Sequence, residues 1–244
     1  MGKVLLVGAD VHDESLRVRY ALGREGGASR TFPNRRKVWP KMVDFFRKAA
    51  AAVGASRIVF AYEASGVGFS LHDFLRGEGV ECYVLAPSQM KRAPQDRRDK
   101  TDEKDARRVL EELRAHVLAG NELPAVWVPD QETRDAREVV RARVDTGEKI
   151  TRVKVQVQAL LKRQGIEKAE GLGGNWSNKH RAWLRGQVRP EGPLAPGART
   201  GLASLLRQLE ALEQEEAHLD AAVAEWARQP RYAQPVQALD KLVG

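Results

Sequence analysis

Residues 3–11, KVLLVGADV, read as a buried strand: an unbroken apolar run from Val4 to Ala9 that closes on a single carboxylate, Asp10. Working outward from that strand decides the fold. Residues 15–22, SLRVRYAL, alternate apolar and polar with period two, GREGGA (23–28) offers a glycine-rich turn, and SRTFPN (29–34) reads as a third strand. Together these predict an antiparallel three-stranded meander. Residues 35–55, RRKVWPKMVDFFRKAAAAVGA, place Val38, Met42, Phe45, Phe46, Ala49 and Val53 on one helical face, with Gly54 as the stop. SRIVFAYE (56–63), FSLHDFLRGEG (69–79) and VECYVLA (80–86) then predict a strand, a short helix and a strand, hence parallel pairing through a crossover. The order β-β-β-α-β-α-β is that of an α/β, ribonuclease-H-like (RuvC-like) fold, a mixed sheet flanked by helices.

A further helix is expected over KTDEKDARRVLEELRAHVLAG (100–120), and NELPAVWVP (121–129) is a link carrying Pro124 and Pro129. From 131 to 164 the pattern is one long helix with an apolar seam at Val140, Val144, Ile150, Val153, Val157 and Leu160. A second seam runs through Leu202, Leu205, Leu209, Leu212, Leu219, Val223 and Trp226, so an antiparallel hairpin or coiled coil is expected. The glycine- and proline-rich stretch between them, 171–198, also holds Trp176, Lys179, His180, Arg181, Trp183 and Arg185. Such a mixture suits either a nucleic-acid stacking platform or the core of a hairpin tip. The expected domains are 1–128, 129–230 and a final segment 231–244.

Composition narrows the chemistry. In 244 residues, 41 Lys and Arg against 33 Asp and Glu give a net charge of +8 and favour a polyanionic partner. The single cysteine, Cys82, excludes a disulfide framework, and five scattered histidines exclude a zinc cluster. No apolar stretch is long enough for a signal peptide or membrane span, so a soluble, cytoplasmic protein is expected. The GVG at 66–68 reads as a turn ahead of a helix.

The carboxylates carry the candidate chemistry. Asp10 and Glu63 end the first and fourth strands, which lie side by side in this topology. Asp102 and Asp105, three apart on a helix, share a face, and a helix after the last strand can bring that face to the same edge. Four carboxylates meeting there would repel unless neutralised. Oxygen-only ligands suit Mg²⁺ or Mn²⁺, and two such ions about 3.5 to 4 Å apart serve phosphodiester cleavage. The basic residues Lys91, Arg92, Arg97, Arg98, Lys100 and Lys104, with Lys179, Arg181 and Arg185 further on, would hold nucleic-acid phosphates. Read structurally, the TDEKD cluster is a capped helix start with acidic residues favoured by the macrodipole.

GADVH (8–12), YEASG (62–66), CYVLAPSQMKR (82–92) and above all KTDEKDA (100–106) resemble the DEDD-type insertion-sequence transposases, recombinases of mobile elements that encode a bridge RNA. The motifs cover about residues 3 to 120, and the hairpin agrees in outline to about 230. The resemblance implies that Asp10, Glu63, Asp102 and Asp105 form a tetrad binding Mg²⁺. It also implies DNA strand cleavage and exchange at sites chosen through a guide RNA, by a homo-oligomer. This family carries a nucleophilic serine in a second, C-terminal domain, whose first residues PVQALDKLVG (235–244) resemble; no serine lies in that stretch. Two other functions fit the residues: a Holliday-junction-resolving or ribonuclease-H-like nuclease acting through water, and a non-catalytic nucleic-acid-binding or dimerisation module.

Overall fold

The computed structural model describes residues 2–24, 26–90 and 102–243, without the side chains of Asp102, Glu103 and Val243. It divides into two compact units, Met1–Val128 and Pro129–Gly244.

In the first unit the strands are β1 (Lys3–Val11), β2 (Ser15–Leu22), β3 (Ala28–Pro33), β4 (Ala55–Glu63) and β5 (Glu81–Leu85). They form one sheet in the order β3-β2-β1-β4-β5. The β1–β2 and β2–β3 pairs are antiparallel, and β1, β4 and β5 run parallel. This is the mixed, ribonuclease-H-like arrangement expected from the element order. Helices α1 (Trp39–Ala52) and α2 (Ser70–Gly77) cover one face, and α3 (Asp102–Ala119) covers the other.

Strand alternation divides the core accordingly. Val7, Ala9, Phe60 and Tyr62 pack with Met42, Phe46 and Leu75, while Leu6, Val59 and Ala61 pack with Val109, Leu110 and Leu113 of α3. Burying each such Leu or Phe contributes about 1.5–3 kcal/mol. The buried face of α1 is rotated from the expected one: Val43 and Ala50 are buried in place of Ala49 and Val53, because the helix ends at Ala52 and Val53 serves as its C-cap. At the far end of α3 the left-handed Gly120 (φ 74°) closes the helix, with Gly120 N–H donating to His116 O and Asn121 N–H to Ala115 O. Beyond β5 the chain returns along its free side. Ala86 N–H donates to Pro124 O, Val126 N–H donates to Val84 O, and Leu85 bridges Ala125. Cys82 is buried in β5, where burial pushes its thiol pKa up.

In the second unit α4 (Gln131–Arg163) and α6 (Pro196–Ala227) form an antiparallel hairpin, with α5 (Asn178–Gln187) at its tip and α7 (Pro230–Val243) after it. Asp130 caps α4, its Oδ1 accepting from Thr133 N–H at 2.8 Å. Ile150 and Val153 meet Leu209, and Val157, Leu160 and Leu161 meet Leu202. The expected seam is wrong in its first half: Val140 and Val144 are 48% and 53% exposed. Opposite that stretch α6 presents Glu216 and Asp220, which take Arg143 as an ion-pair partner, so the apolar spacing of α4 outruns the apolar surface available to it. On α6 only Leu202 and Leu209 of the expected seam are fully buried. Val140 instead lines an apolar hollow with Val223, Trp226, Tyr232 and Val236.

Candidate metal and nucleic-acid site

The site is built at the carboxyl ends of β1 and β4. The parallel register pairs Gly8 with Ala61 and Ala9 with Tyr62, so Asp10 and Glu63 are the next residues along two neighbouring strands. By alternation both belong to the face that carries Leu6, Val59 and Ala61, the face under α3.

Gly8 decides how near α3 comes. A Cβ there would stand 2.4 Å from Leu110 N and 2.6 Å from Ala106 O, both backbone atoms, so helix and strand touch main chain to main chain and only glycine fits. Asp105, one residue before Ala106, is thereby held over the strand end two residues beyond Gly8. The side chains of Asp10, Glu63 and Asp105 are 14%, 20% and 14% exposed, enclosed enough for charge to matter.

The chain supplies its own counter-charges. Arg108, one turn after Asp105, ion-pairs through Nη2 with Glu63 Oε1 and lies 3.5 Å from Asp105 Oδ1. Its Nε is buried without a hydrogen-bond partner among the described residues. His12 Nε2 lies 3.0 Å from Asp10 Oδ2. His12 is itself held by Asn34, which donates to its carbonyl at 2.7 Å and accepts from Trp39 Nε1 at 3.1 Å. The described side chains at this edge thus make acid–base contacts, Glu63 and Asp105 with Arg108 and Asp10 with His12, while the expected meeting of four carboxylates involves Asp102, whose side chain is not described. No group of three or more His, Cys, Asp or Glu is gathered for a metal among the described residues. The reason is electrostatic: like charges in a partly enclosed place need a cation beside them, and the Arg108 guanidinium is within reach of two. Asp102 opens α3, and its side chain lies outside the described residues.

The donor set fits a hard divalent cation. It offers carboxylate oxygens on β1, β4 and α3, and the guanidinium between two of them has a nitrogen without a partner among the described residues. Sequence reasoning missed Arg108, His12 and Gly8. Arg108 stands at i+3 from Asp105, and His12 lies two residues past Asp10, spacings that could have flagged both as partners.

The candidate phosphate-binding residues separate into groups. Lys91, Arg92, Arg97, Arg98 and Lys100 lie outside the described residues. Lys104 and Lys179 are exposed. Arg185 is 65% exposed and lies 4.0 Å from Glu210. Arg181 is engaged: its Nη1 and Nη2 donate to Glu213 at 2.6 and 2.7 Å and its Nε to Trp176 O at 2.8 Å. Trp176 and Trp183 flank His180 and pack, partly buried, against the hairpin core, as the tip-core reading expects. Burial, and then the nearby Lys168 and Arg181 charges, hold His180 below the ordinary imidazole pKa, and its Nδ1 accepts from Trp176 N–H at 2.9 Å.

Comparison with known proteins finds transposases among the chain's relatives. A protein of Sinorhizobium fredii named for a transposase, y4qE, is 36% identical over 130 residues, 53% of this chain and 31% of that protein. The transposase for insertion sequence element IS1533 of Leptospira borgpetersenii is 25% identical over 187 residues, 75% of this chain and 51% of that protein. The chain thus spans 31% and 51% of the length of these two curated relatives. Among solved structures, T. thermophilus RuvC in complex with a Holliday junction substrate shares 9% identity and a TM-score of 0.33, over 49% of this chain and 99% of that one. Among the described residues no helix is long and apolar enough to cross a membrane. The transposase family of the IS110 DEDD type matches residues 7–165, a stretch that holds Asp10, Glu63, Asp102 and Asp105, and the chain belongs to that family.

Proposed function

We propose that this chain carries the phosphodiester-cleaving centre of a DNA transposase, with Asp10, Glu63, Asp102 and Asp105 as the residues that would hold Mg²⁺ or Mn²⁺. The observation that carries the reading is the placement of Asp10 and Glu63 at the ends of adjacent parallel strands, under a helix that Gly8 seats against β1 and whose Asp105 shares Arg108 with Glu63. When bound, the cations supply a Lewis acid for the attacking oxygen and counter-charge for the leaving one.

The rest is the work of the chain's own side chains. His12 fixes the orientation of Asp10, and the Asn34–Trp39 contact fixes His12. Arg108 sets the position of Glu63 relative to α3. DNA is the substrate in this reading, a guide RNA selects it, and the protein acts as a homo-oligomer. The net charge of +8 and the exposed Lys104, Lys179 and Arg185 support a polyanionic partner.

The test pairs metal binding with DNA cleavage. Mn²⁺ should raise the thermal midpoint of the wild-type chain and not that of Asp10→Asn or Glu63→Gln. Metal-dependent strand cleavage of element-end or branched DNA should fall by about 100-fold or more in Asp10→Asn, Glu63→Gln and Asp105→Asn. Metal-independent midpoints in the wild type, or cleavage retained by all three variants, would sink the assignment.

A further inference from the structure

We propose that Arg108 is a built-in competitor for the cation at this site: its guanidinium holds Glu63 and Asp105 in the metal-free chain and must release Glu63 before a divalent ion can use that carboxylate. The proposal rests on the metal-binding reading above and concerns a residue outside the tetrad.

Three observations carry it. Arg108 Nη2 ion-pairs with Glu63 Oε1, and the same nitrogen stands 3.5 Å from Asp105 Oδ1, so one group bridges two of the proposed ligands from opposite elements, β4 and α3. The Arg108 side chain is only 16% exposed, so this is an enclosed contact with weak solvent screening rather than a surface pair. Its Nε is buried and meets no acceptor among the described residues, whereas a guanidinium selected only to brace the fold would be expected to have its donors matched.

A guanidinium and a divalent ion compete for Glu63 Oε1, and the two cations repel one another at that range. Occupancy by one therefore disfavours the other, and the two are linked: whatever stabilises the Arg108–Glu63 pair weakens metal binding by the same factor. The pair also keeps the metal-free carboxylates from destabilising α3 against the sheet, the cost that an unneutralised cluster would impose.

The experiment measures Mn²⁺ binding to the 244-residue chain by calorimetry and by the paramagnetic resonance signal of free Mn²⁺, together with thermal midpoints. Arg108→Met keeps the apolar stem and removes the charge. It should bind Mn²⁺ about ten-fold more tightly, equivalent to about 1.4 kcal/mol, melt below the wild type without metal, and gain more than the wild type when Mn²⁺ is added. Arg108→Lys, which keeps a charge and loses the planar fork, should fall between the two, and it decides the matter if Arg108→Met does not fold. Unchanged or weaker Mn²⁺ binding in these variants, with circular dichroism like the wild type's, overturns the role given to Arg108. If the Arg108 variants bind Mn²⁺ no more tightly than the wild type while Glu63→Gln loses it, the metal site stands and only the competitor is removed. If neither the wild type nor any variant takes Mn²⁺, the metal-site reading falls and the competitor falls with it.

Discussion

Two arginines in this molecule each face a carboxylate from another element, and they differ in how completely they are satisfied. At the hairpin tip Arg181 meets Glu213 through two parallel N–H donations, and its Nε has a carbonyl of its own. At the strand ends Arg108 divides one nitrogen between Glu63 and Asp105 while its Nε meets no acceptor among the described residues. The first is a finished clamp, bidentate and geometrically specific. The second is a compromise, and compromise contacts are what a protein retains where another occupant is expected.

The largest effect should come from the glycine that puts Arg108 where it is. Gly8→Ala forces a methyl into the Ala106 and Leu110 backbone, which cannot move aside as a side-chain tip could. The expected loss is about 3 kcal/mol in denaturant unfolding, and Mn²⁺ binding should be lost with it as α3 lifts from β1. A Gly8→Ala chain of wild-type stability would mean that helix and strand are not in main-chain contact.

Next in size is Arg181→Ala, which strands Glu213 in a half-buried position and should cost about 1–3 kcal/mol without altering Mn²⁺ binding. That separation of the two arginines is what the comparison claims. The clamp also has a pH signature. The Arg181 hydrogen bond is the largest influence on Glu213, and it lowers the Glu213 pKa below its ordinary 4.5. The unfolded chain therefore binds the proton more readily, and the stabilisation is present above about 4.5 and disappears as pH falls through the lowered value. Unfolding midpoints followed downward from pH 4.5 should slope in the wild type and flatten in Arg181→Ala.

The smallest effect concerns His180, the group beside the clamp. Its folded pKa lies below the ordinary 6.5, so at a pH just under 6.5 the unfolded chain carries the extra proton and stability falls as the solution is acidified. His180→Asn retains an acceptor for Trp176 N–H and removes the titration. Its midpoint should be flatter than the wild type's from about pH 7 to pH 5, and equal slopes would show that the imidazole titrates as it does in water.

The strands could be read from sequence because burial on both faces leaves long apolar runs such as KVLLVGA and IVFAY, and the crossover glycines Gly54 and Gly79 do adopt left-handed backbone. The pairing of Asp10 with Glu63 followed from strand order alone. What escaped was everything set by a neighbour's identity. Gly8 looks like any strand glycine until the helix above it is known, and Arg108 looks like a solvated helical cation until the strand end it reaches is in place. Val140 and Val144 keep the helical period, and only the charges on the facing helix show why that period stops mattering there.

The return of residues 124–126 alongside β5 has a consequence for self-association. Exposed sheet margins are templates for runaway assembly, and here the β5 side is already hydrogen-bonded by the chain's own departing segment. A foreign strand could add there only by first peeling that segment away, so the apolar parallel strands at the heart of this unit are shielded from that route to amyloid-like growth.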